Sequence, residues 1–518
     1  MIKKAPKTAQ KRYLGGMKKI ILNEVPNKIR QLEIFTPQTG YSVSALQFIT
    51  SDLGRLWQKI PFEQLAEAVC RRLMKQVIHV PRWGYLDIRG GIAIEVLKRY
   101  QNGLSDEKVI ENLNLCSAHR WFCFMNLPMR ERIADKDLLV RWRQFLGGHL
   151  DTEALNRVLL QAWQGEIAHK HVRMSDATVY EVKIAYPQSV VLLYDACNWV
   201  YKQYSQLSAS LGLGKQKSAY RKFKEQHKRQ TNWSKTRKKT HKKTHKKTQG
   251  RKRELLYWLK KGLDLLKDIW VIYKAQVVEG LQRKIPPRHE KRYQTIKKLY
   301  EQQQTHFTAV QAQAESKIPD RIVSLNQPHI RPIVRGKTNK PVEFGPKVNI
   351  LRIGCVSLIE HSSFNAFHEG NRMSECCIKY THITGKCQQF AGDAIYATNA
   401  NRRFASQNNI QTSFIQKGKK KNDPLLQKQE KTLKKELKKE LGKVRSTHLE
   451  GSFGNQKQHY AANKITAKTP ETQNFALFAA LLTANAMALV NQNNKKEAEN
   501  RKKQNTQNKK AKPQARAA

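Results

Sequence analysis

The sequence predicts an α/β protein: a mixed β-sheet domain interrupted by a helical insertion and preceded by an all-α N-terminal domain. Three observations lead there. Apolar residues recur three or four apart as far as about residue 165, and the pattern changes to alternation at His171. A densely basic stretch and two long helical patterns follow, and β character returns at Arg321. The expected divisions are a basic segment 1–44, a helical domain 45–165, a sheet domain 166–204 with 321–490, a basic arm plus helical insertion 205–320, and a disordered basic tail 491–518.

Pro61 suits a first helical position, and Phe62, Leu65, Val69, Leu73 and Val77 continue one helical face. Ala93, Val96, Leu97 and Tyr100 line a second helix that Gly103 ends. Ser105-Asp106-Glu107 opens a third, its acids suited to the positive end of the helix dipole, and Asp151 opens a fourth. Short helices joined by a Gly-containing turn fit a helix-turn-helix-like DNA reader and equally a plain helical domain. HVRMSDATVYEV, rich in β-branched residues, reads as a strand with Asp176 in its middle, and SVVLLYDACNWVYKQY as a buried helix. Between Gly214 and Arg253 stand 18 Lys or Arg and one acid, Glu225, including the repeat RKKT-HKKT-HKKT, which predicts a solvated, mobile arm. Leu255 to Val277 and Tyr293 to Val310 then form a helical hairpin, with Trp258 and Trp270 expected in its core rather than stacked on bases. Strands follow from Arg321 to about Phe364; KCQQFAGDAIYA places Asp393 at a strand end, TNANRRFASQNN is helical, and IQTSFIQKG is a further strand. A charged helical stretch runs into Glu450, and FALFAALLTANAMALV forms an apolar helix after Thr469-Pro470.

Charge narrows the function. The 518 residues carry 96 Lys and Arg against 41 Asp and Glu, a net charge of +55, which calls for a polyanionic partner. Eight scattered cysteines do not make a disulfide scaffold, and no apolar stretch follows the basic N-terminus as in a secretory signal. The longest uncharged apolar run, Phe475 to Val490, is 16 residues where a span needs ~20, so a core helix is expected and no membrane partner. The expected location is cytoplasmic, associated with the nucleoid.

In a chain poor in acids, the positions of the acids carry the chemistry. Asp176 lies mid-strand, Asp393 at a strand end and Glu450 on a helix. A lone carboxylate inside an apolar strand is costly unless paired or bound to metal. The order of strand, helix, insertion, hairpins, strand and helix is that of an RNase H-like mixed sheet split by a large insert. Such a sheet could gather the three acids around two hard divalent cations, Mg2+ or Mn2+, for phosphoryl transfer.

Four stretches in order, SDATVYEVKIAYP, RIVSLNQPHIRPIVRGKTNKPVEFGPKVNI, FAGDAIYATNANRRF and LEGSFGNQKQHYAANKI, give a specific likeness. The sequence resembles bacterial insertion-sequence transposases of the DDE type, from the insertion-sequence-five-like group, over roughly residues 45 to 490. The resemblance implies Asp176, Asp393 and Glu450 as catalytic metal-binding triad, with 216 and 56 residues between them. It implies Lys457, with six residues between it and Glu450, as a phosphate-binding group two turns along the same helix face. The group often has an Arg four residues before this Glu; here that position is Ser446, with Arg445 one place away, and Lys443 stands where a related signature has Tyr. The implied reaction cuts double-stranded DNA at the element's ends, leaving a 3′-hydroxyl that then attacks target DNA. It needs no Ser or Tyr nucleophile and no organic cofactor, and pairing two ends implies a dimer or higher on DNA.

Other readings stand beside these. The resemblance makes Arg445 a further DNA contact beside Glu450, and the arm residues Lys238, Lys239, Lys242, Lys243, Lys246 and Lys247 are expected to bind phosphate backbone without regard to sequence. Cys376, Cys377, His382 and Cys387 have ligand types suited to zinc but no standard zinc spacing. His361 and His368 read as structural or exposed. The rival to an enzyme is a catalytically inactive or repurposed nucleic-acid-binding protein derived from a transposase; a nuclease that cuts without joining is a third reading.

Overall fold

A computed structural model describes residues 45–511 apart from 82, 126, 128–129, 214–219, 226, 228–240, 280, 315–316, 336–340 and 415–423. The basic segment 1–44, the arm residues Lys238 and Lys239, and positions 512–518 lie outside the described residues. Two compact units divide the chain: residues up to Lys183 with those from Pro346, and Ile184–Gly345. The inserted unit is thus wider than the expected 205–320.

In the first unit, α1 (Phe62–Gln76) buries Phe62, Leu65, Val69 and Leu73, as its spacing predicts, whereas Val77, expected on the same face, is the exposed left-handed residue that ends the helix. The Asp87 carboxylate caps α2 (Ile88–Tyr100) by accepting from the Gly90 N–H, and Ser105 caps α3 (Asp106–Leu115) in the same way. A helix that the pattern did not announce, α4 (Leu138–Gly148), packs on α2. Its apolar face was hidden by Arg141 and Arg143, which stand on either side of the buried Trp142. Trp142 lies so close to α2 that a Cβ on Gly91 would sit 2.4 Å from its ring, so only glycine fits there. The last helix of this group, α5 (Thr152–Trp163), opens at the Asp151 cap.

Charge lies at the centre of these helices. Glu95 of α2 is 2% exposed and pairs with Arg99 at 2.5 Å and Arg143 at 2.8 Å. Arg143 and Lys98 both bond Asp106 at the start of α3. Although burial pushes the Glu95 carboxyl up, Arg143, Arg99 and Lys98 together hold it well below the usual carboxylate range.

After α5 comes β1 (Val172–Val179), then the inserted unit. Its core is built by α6 (Ser189–Ser210), α7 (His241–Ala275) and α8 (Pro287–Gln311). Leu193, Ala196 and Val200 of α6 share one cluster with Leu259 and Leu266 of α7 and Ile296 of α8, which is why α6 belongs to this unit and not to the sheet domain. Within the basic stretch, residues from His241 onward continue the helix α7, correcting the expectation of a mobile arm there. Lysine is a good helix former, and the buried Leu255, Leu259 and Leu263 farther along anchor the same helix.

The chain then returns to the sheet of the first unit through β2 (Lys347–Ile353) and β3 (Val356–Ser363). Next come α9 (Met373–Ile378), β4 (Gln389–Ala391), α10 (Asn399–Gln407) and β5 (Gln411–Thr412), shorter than the strand expected there. The strand order is β3-β2-β1-β4-β5. β2 runs antiparallel to β1 and β3, whereas β4 and β5 run parallel to β1 and to each other. The result is a mixed α/β protein with a small mixed sheet.

Three helical stretches close the chain: α11 (Pro424–Val444), α12 (Gly451–His459) and α13 (Pro470–Ala511), with a π-helical turn, Arg445–Glu450, between α11 and α12. The apolar part of α13 is a core helix, packed on α2, α4 and β3. By length and composition it could cross a membrane, but 83% of its most apolar window is buried in the protein. Asn485 ties it to β3, accepting from the Ser357 N–H at 2.9 Å and donating to the Ser357 carbonyl at 2.8 Å. The expectation of disorder from residue 491 is corrected: α13 runs on, held by Arg55 donating to Asn494 and Asn493 donating to Glu166.

The buried charge cluster makes a test of the fold. Glu95→Gln leaves Arg99 and Arg143 buried with one charge too few and should destabilise the protein by about 3–5 kcal/mol at neutral pH, measured by denaturant unfolding. Because the folded-state pKa is depressed, Glu95 stabilises above the ordinary carboxylate range and less as pH falls, so the difference between the two proteins narrows in acid.

Candidate active site

β1 is the middle strand, flanked by β2 and β4, and Asp176 is its one residue that is not fully buried. Its backbone pairs with Ile350 of β2. Alternation along the strand puts Asp176 on the face of Thr178 and Tyr180. Its own Oδ1 accepts from the Ala177 N–H at 2.8 Å, and its Oδ2 takes the Arg445 guanidinium at 3.3 Å. Burial pushes the Asp176 carboxyl up to about 6, against the pull of Arg445 and with further pushes from Glu369 and Asp393.

The second acid follows from strand register. Met174 of β1 pairs with Ala391 of the parallel β4, so Asp176 and Asp393 each stand two residues beyond the same paired position. Asp393 caps a short 3-10 turn, Ala394–Tyr396, its Oδ1 accepting from the Ala394 N–H at 2.6 Å, and it is exposed. The turn is anchored from the opposite side of the sheet. Tyr396 is fully buried and its hydroxyl donates to Asn349 Oδ1 at 2.8 Å, with Ser175 Oγ 3.0 Å away. Ser175 is the neighbour of Asp176, so one buried hydrogen-bond network holds both acid-bearing segments. A Cβ on Gly392 would lie 2.6 Å from the Phe390 ring and 2.9 Å from that of Tyr396, so this close packing needs glycine.

The third acid, Glu450, ends the π-helical turn and is about half exposed, 48%. Arg445 binds it at 2.9 Å through the same Nη1 that reaches Asp176. Residues five apart diverge on an α-helix and come nearly into line on the wider i→i+5 turn. The wide turn brings Arg445 round to Glu450. Leu449, fully buried, seats the turn, and Lys457 of α12 reaches Thr178 Oγ1 at 2.9 Å above the Tyr180 ring. Lys457 therefore lies on the strand face that carries Asp176.

Asp176, Glu450, Arg445 and Lys457 thus meet on one side of β1, and Asp393 stands at the matching position on the adjacent strand. Lys242, Lys243, Lys246 and Lys247 lie on α7 in the other unit. Among the described residues no three His, Cys, Asp or Glu side chains are close enough to hold a metal ion. In kind the donors suit a hard divalent cation, since all are carboxylate oxygens and one is desolvated. Binding one there requires Arg445 to release Asp176 or Glu450. Of the cysteine cluster, Cys376 bonds Ser175 Oγ, Cys377 and Cys387 approach to 3.6 Å, and His382 is exposed.

Sequence reasoning missed Glu369, which is half-buried, pairs with Lys347 at 3.1 Å and adds negative potential at Asp176. It also missed the anchoring role of Tyr396. The spacing Asp-x2-Tyr after a strand was the available signal, but a buried hydroxyl network cannot be seen along one chain. No family model, curated protein or solved structure matches this chain.

A raised carboxyl pKa means that the folded state binds this proton more tightly than the unfolded chain, so Asp176 costs stability as pH rises from about 4 to about 6 and keeps that cost above. Asp176→Asn should therefore stabilise the protein at pH 7.5 without divalent ions, by on the order of 1–3 kcal/mol, and the gain should fade toward pH 4. Thermal melts of both proteins across that range are the measurement; a less stable variant at pH 7.5 would mean that Arg445 more than compensates the burial.

Proposed function

We propose that this protein is a DNA transposase of the DDE type, an RNase H-like polynucleotidyl transferase that cuts the ends of an insertion sequence and joins them to target DNA. The observation that carries the reading is the Arg445 clasp, in which carboxylates from distant parts of the chain, Asp176 and Glu450, share one guanidinium beside the Asp393 strand. Nothing in a purely structural sheet requires two acids and an arginine on its central strand face. The mixed sheet, with acids on its middle strand, after the next parallel strand and on a helix over one face, is how such a fold would gather residues so far apart.

Each residue has a defined task. Asp176, Asp393 and Glu450 would hold Mg2+ or Mn2+, which supplies Lewis-acid activation of the attacking oxygen and neutralises the leaving one. Lys457, pointing along the Asp176 face, would bind the phosphate flanking the scissile bond. Arg445 keeps the two carboxylates from repelling each other until the substrate and its ions arrive. The substrates are double-stranded element ends and target DNA, bound by a dimer or larger assembly in the cytoplasm at the nucleoid. One observation favours the alternative of an inactive, nucleic-acid-binding descendant: Arg445 already supplies the positive charge between Asp176 and Glu450 that catalysis assigns to metal.

Strand cleavage on DNA carrying the inverted repeats that flank the coding region, with Mg2+ or Mn2+, separates the two. Wild type should cut, and Asp176→Asn, Asp393→Asn and Glu450→Gln should each lose at least a hundredfold in rate while binding DNA as before. Equal cutting by all four proteins removes the site assignment, and cutting by none favours the inactive form. A second measurement concerns the lysines of the basic stretch. Replacing Lys238, Lys239, Lys242, Lys243, Lys246 and Lys247 by Gln should weaken binding to all duplexes alike and reduce the salt slope by ~0.9 for each phosphate that these lysines neutralise in wild type.

A further inference from the structure

The inserted unit contains a second cluster of charge, of one sign. Lys252 of α7 is 5% exposed, deeper than a lysine ordinarily sits without a partner. Its ammonium lies 6.0 Å from the centre of the Phe307 ring of α8, and the guanidinium of the exposed Arg253 lies at the same distance. Arg321, in the segment that follows α8, is near enough to push the Lys252 ammonium down, and Lys252 and Arg321 both push His306, next to Phe307, toward its neutral form. Among the described residues no carboxylate pairs with Lys252, His306 or Arg321. Burial, with Arg321 adding to it, pushes the Lys252 ammonium down to about 8.

Unused hydrogen-bonding groups accompany this charge. Gln303, one turn before Phe307 on α8, is wholly buried, and neither atom of its amide has a protein partner. The same holds for Nδ1 of His306, Nε of Arg321 and Oε1 of Gln249, one turn before Lys252 on α7. A wholly buried amide left without a partner costs free energy that folding alone does not recover. An anion with several acceptor oxygens would satisfy the donors and the charge together.

We propose that Lys252, His306 and Arg321, with the Gln303 amide, form a binding site for a phosphate oxyanion in the inserted unit. This inference does not depend on the transposase reading. The phosphate could belong to a nucleic-acid backbone, which the charge of the unit favours: residues 184–345 hold 36 Lys and Arg against 11 Asp and Glu, and α7 carries Lys242, Lys243, Lys246 and Lys247 toward its N-terminus. Free phosphate is the other source of the same group.

The full chain, wild type, Lys252→Met and Arg321→Gln, is melted in inorganic phosphate and in chloride at one ionic strength, and titrated with a short duplex of arbitrary sequence at several salt concentrations. Phosphate should raise the melting temperature of wild type and bind at least tenfold more weakly to both variants. Without phosphate, Lys252→Met should melt at or above wild type, because an unpaired buried cation is gone. A backbone ligand adds a drop of ~0.9 in salt slope for Lys252→Met, whereas free phosphate leaves the slope unchanged; either pattern supports the site. Equal phosphate shifts in all three proteins would overturn it. So would the absence of any wild-type shift together with an unaltered duplex slope.

Discussion

A carboxylate on the central strand of a five-stranded sheet has neighbours on both sides and little water, so it must find a counter-charge, take a proton or bind a cation. Asp176 is in that position. Burial raises its pKa, Arg445 lowers it, and the balance leaves the group poised near 6. The rest of the site follows from meeting this demand. The π-helical turn aims Arg445, Glu450 shares it, and Lys457 lies along the same face.

The two faces of β1 divide the work. The face of Asp176 bears charge and half-exposed groups. Behind it, Ser175, Asn349, Tyr396 and Cys376 form a closed network whose hydroxyls, amide and thiol bond one another. Glu360, its side chain fully buried, extends the network to Arg372 and Lys379. Such a network is rigid because each member has few alternatives in a low-dielectric interior. It holds the Asp393 turn against the strand that carries Asp176, so a polar backing fixes the spacing of acids it never touches.

The same principle, in opposite sense, separates the charge clusters elsewhere. Around Glu95 three cations face two carboxylates and nearly every group is bonded. Around Lys252, among the described residues, the cations have no carboxylate and the Gln303 amide no partner. A cluster whose cations find carboxylates serves the fold; one whose cations find none is what the proposed phosphate site answers.

The helices from Phe62 to Gly103, the strand around Asp176, the hairpin α7–α8 and the apolar helix after Pro470 were legible in the sequence because each rests on local periodicity and a cap. So was the candidate status of Asp176, Asp393 and Glu450, since acids are rare in so basic a chain. Helix α4 escaped because Arg141, paired with Asp135, and Arg143, which serves the Glu95 cluster, interrupt its apolar stripe. The extent of the inserted unit escaped too, because α6 has the same buried pattern whether it packs on a sheet or on α7. What the amino-acid order determined was the set of elements and the shortlist of charged residues. Tertiary structure alone decided that a register shared by β1 and β4 sets Asp393 level with Asp176, and that the π-helical turn brings Arg445 to both Asp176 and Glu450. Periodicity is a property of neighbours along the chain, whereas register and clasp geometry arise only when distant segments pack.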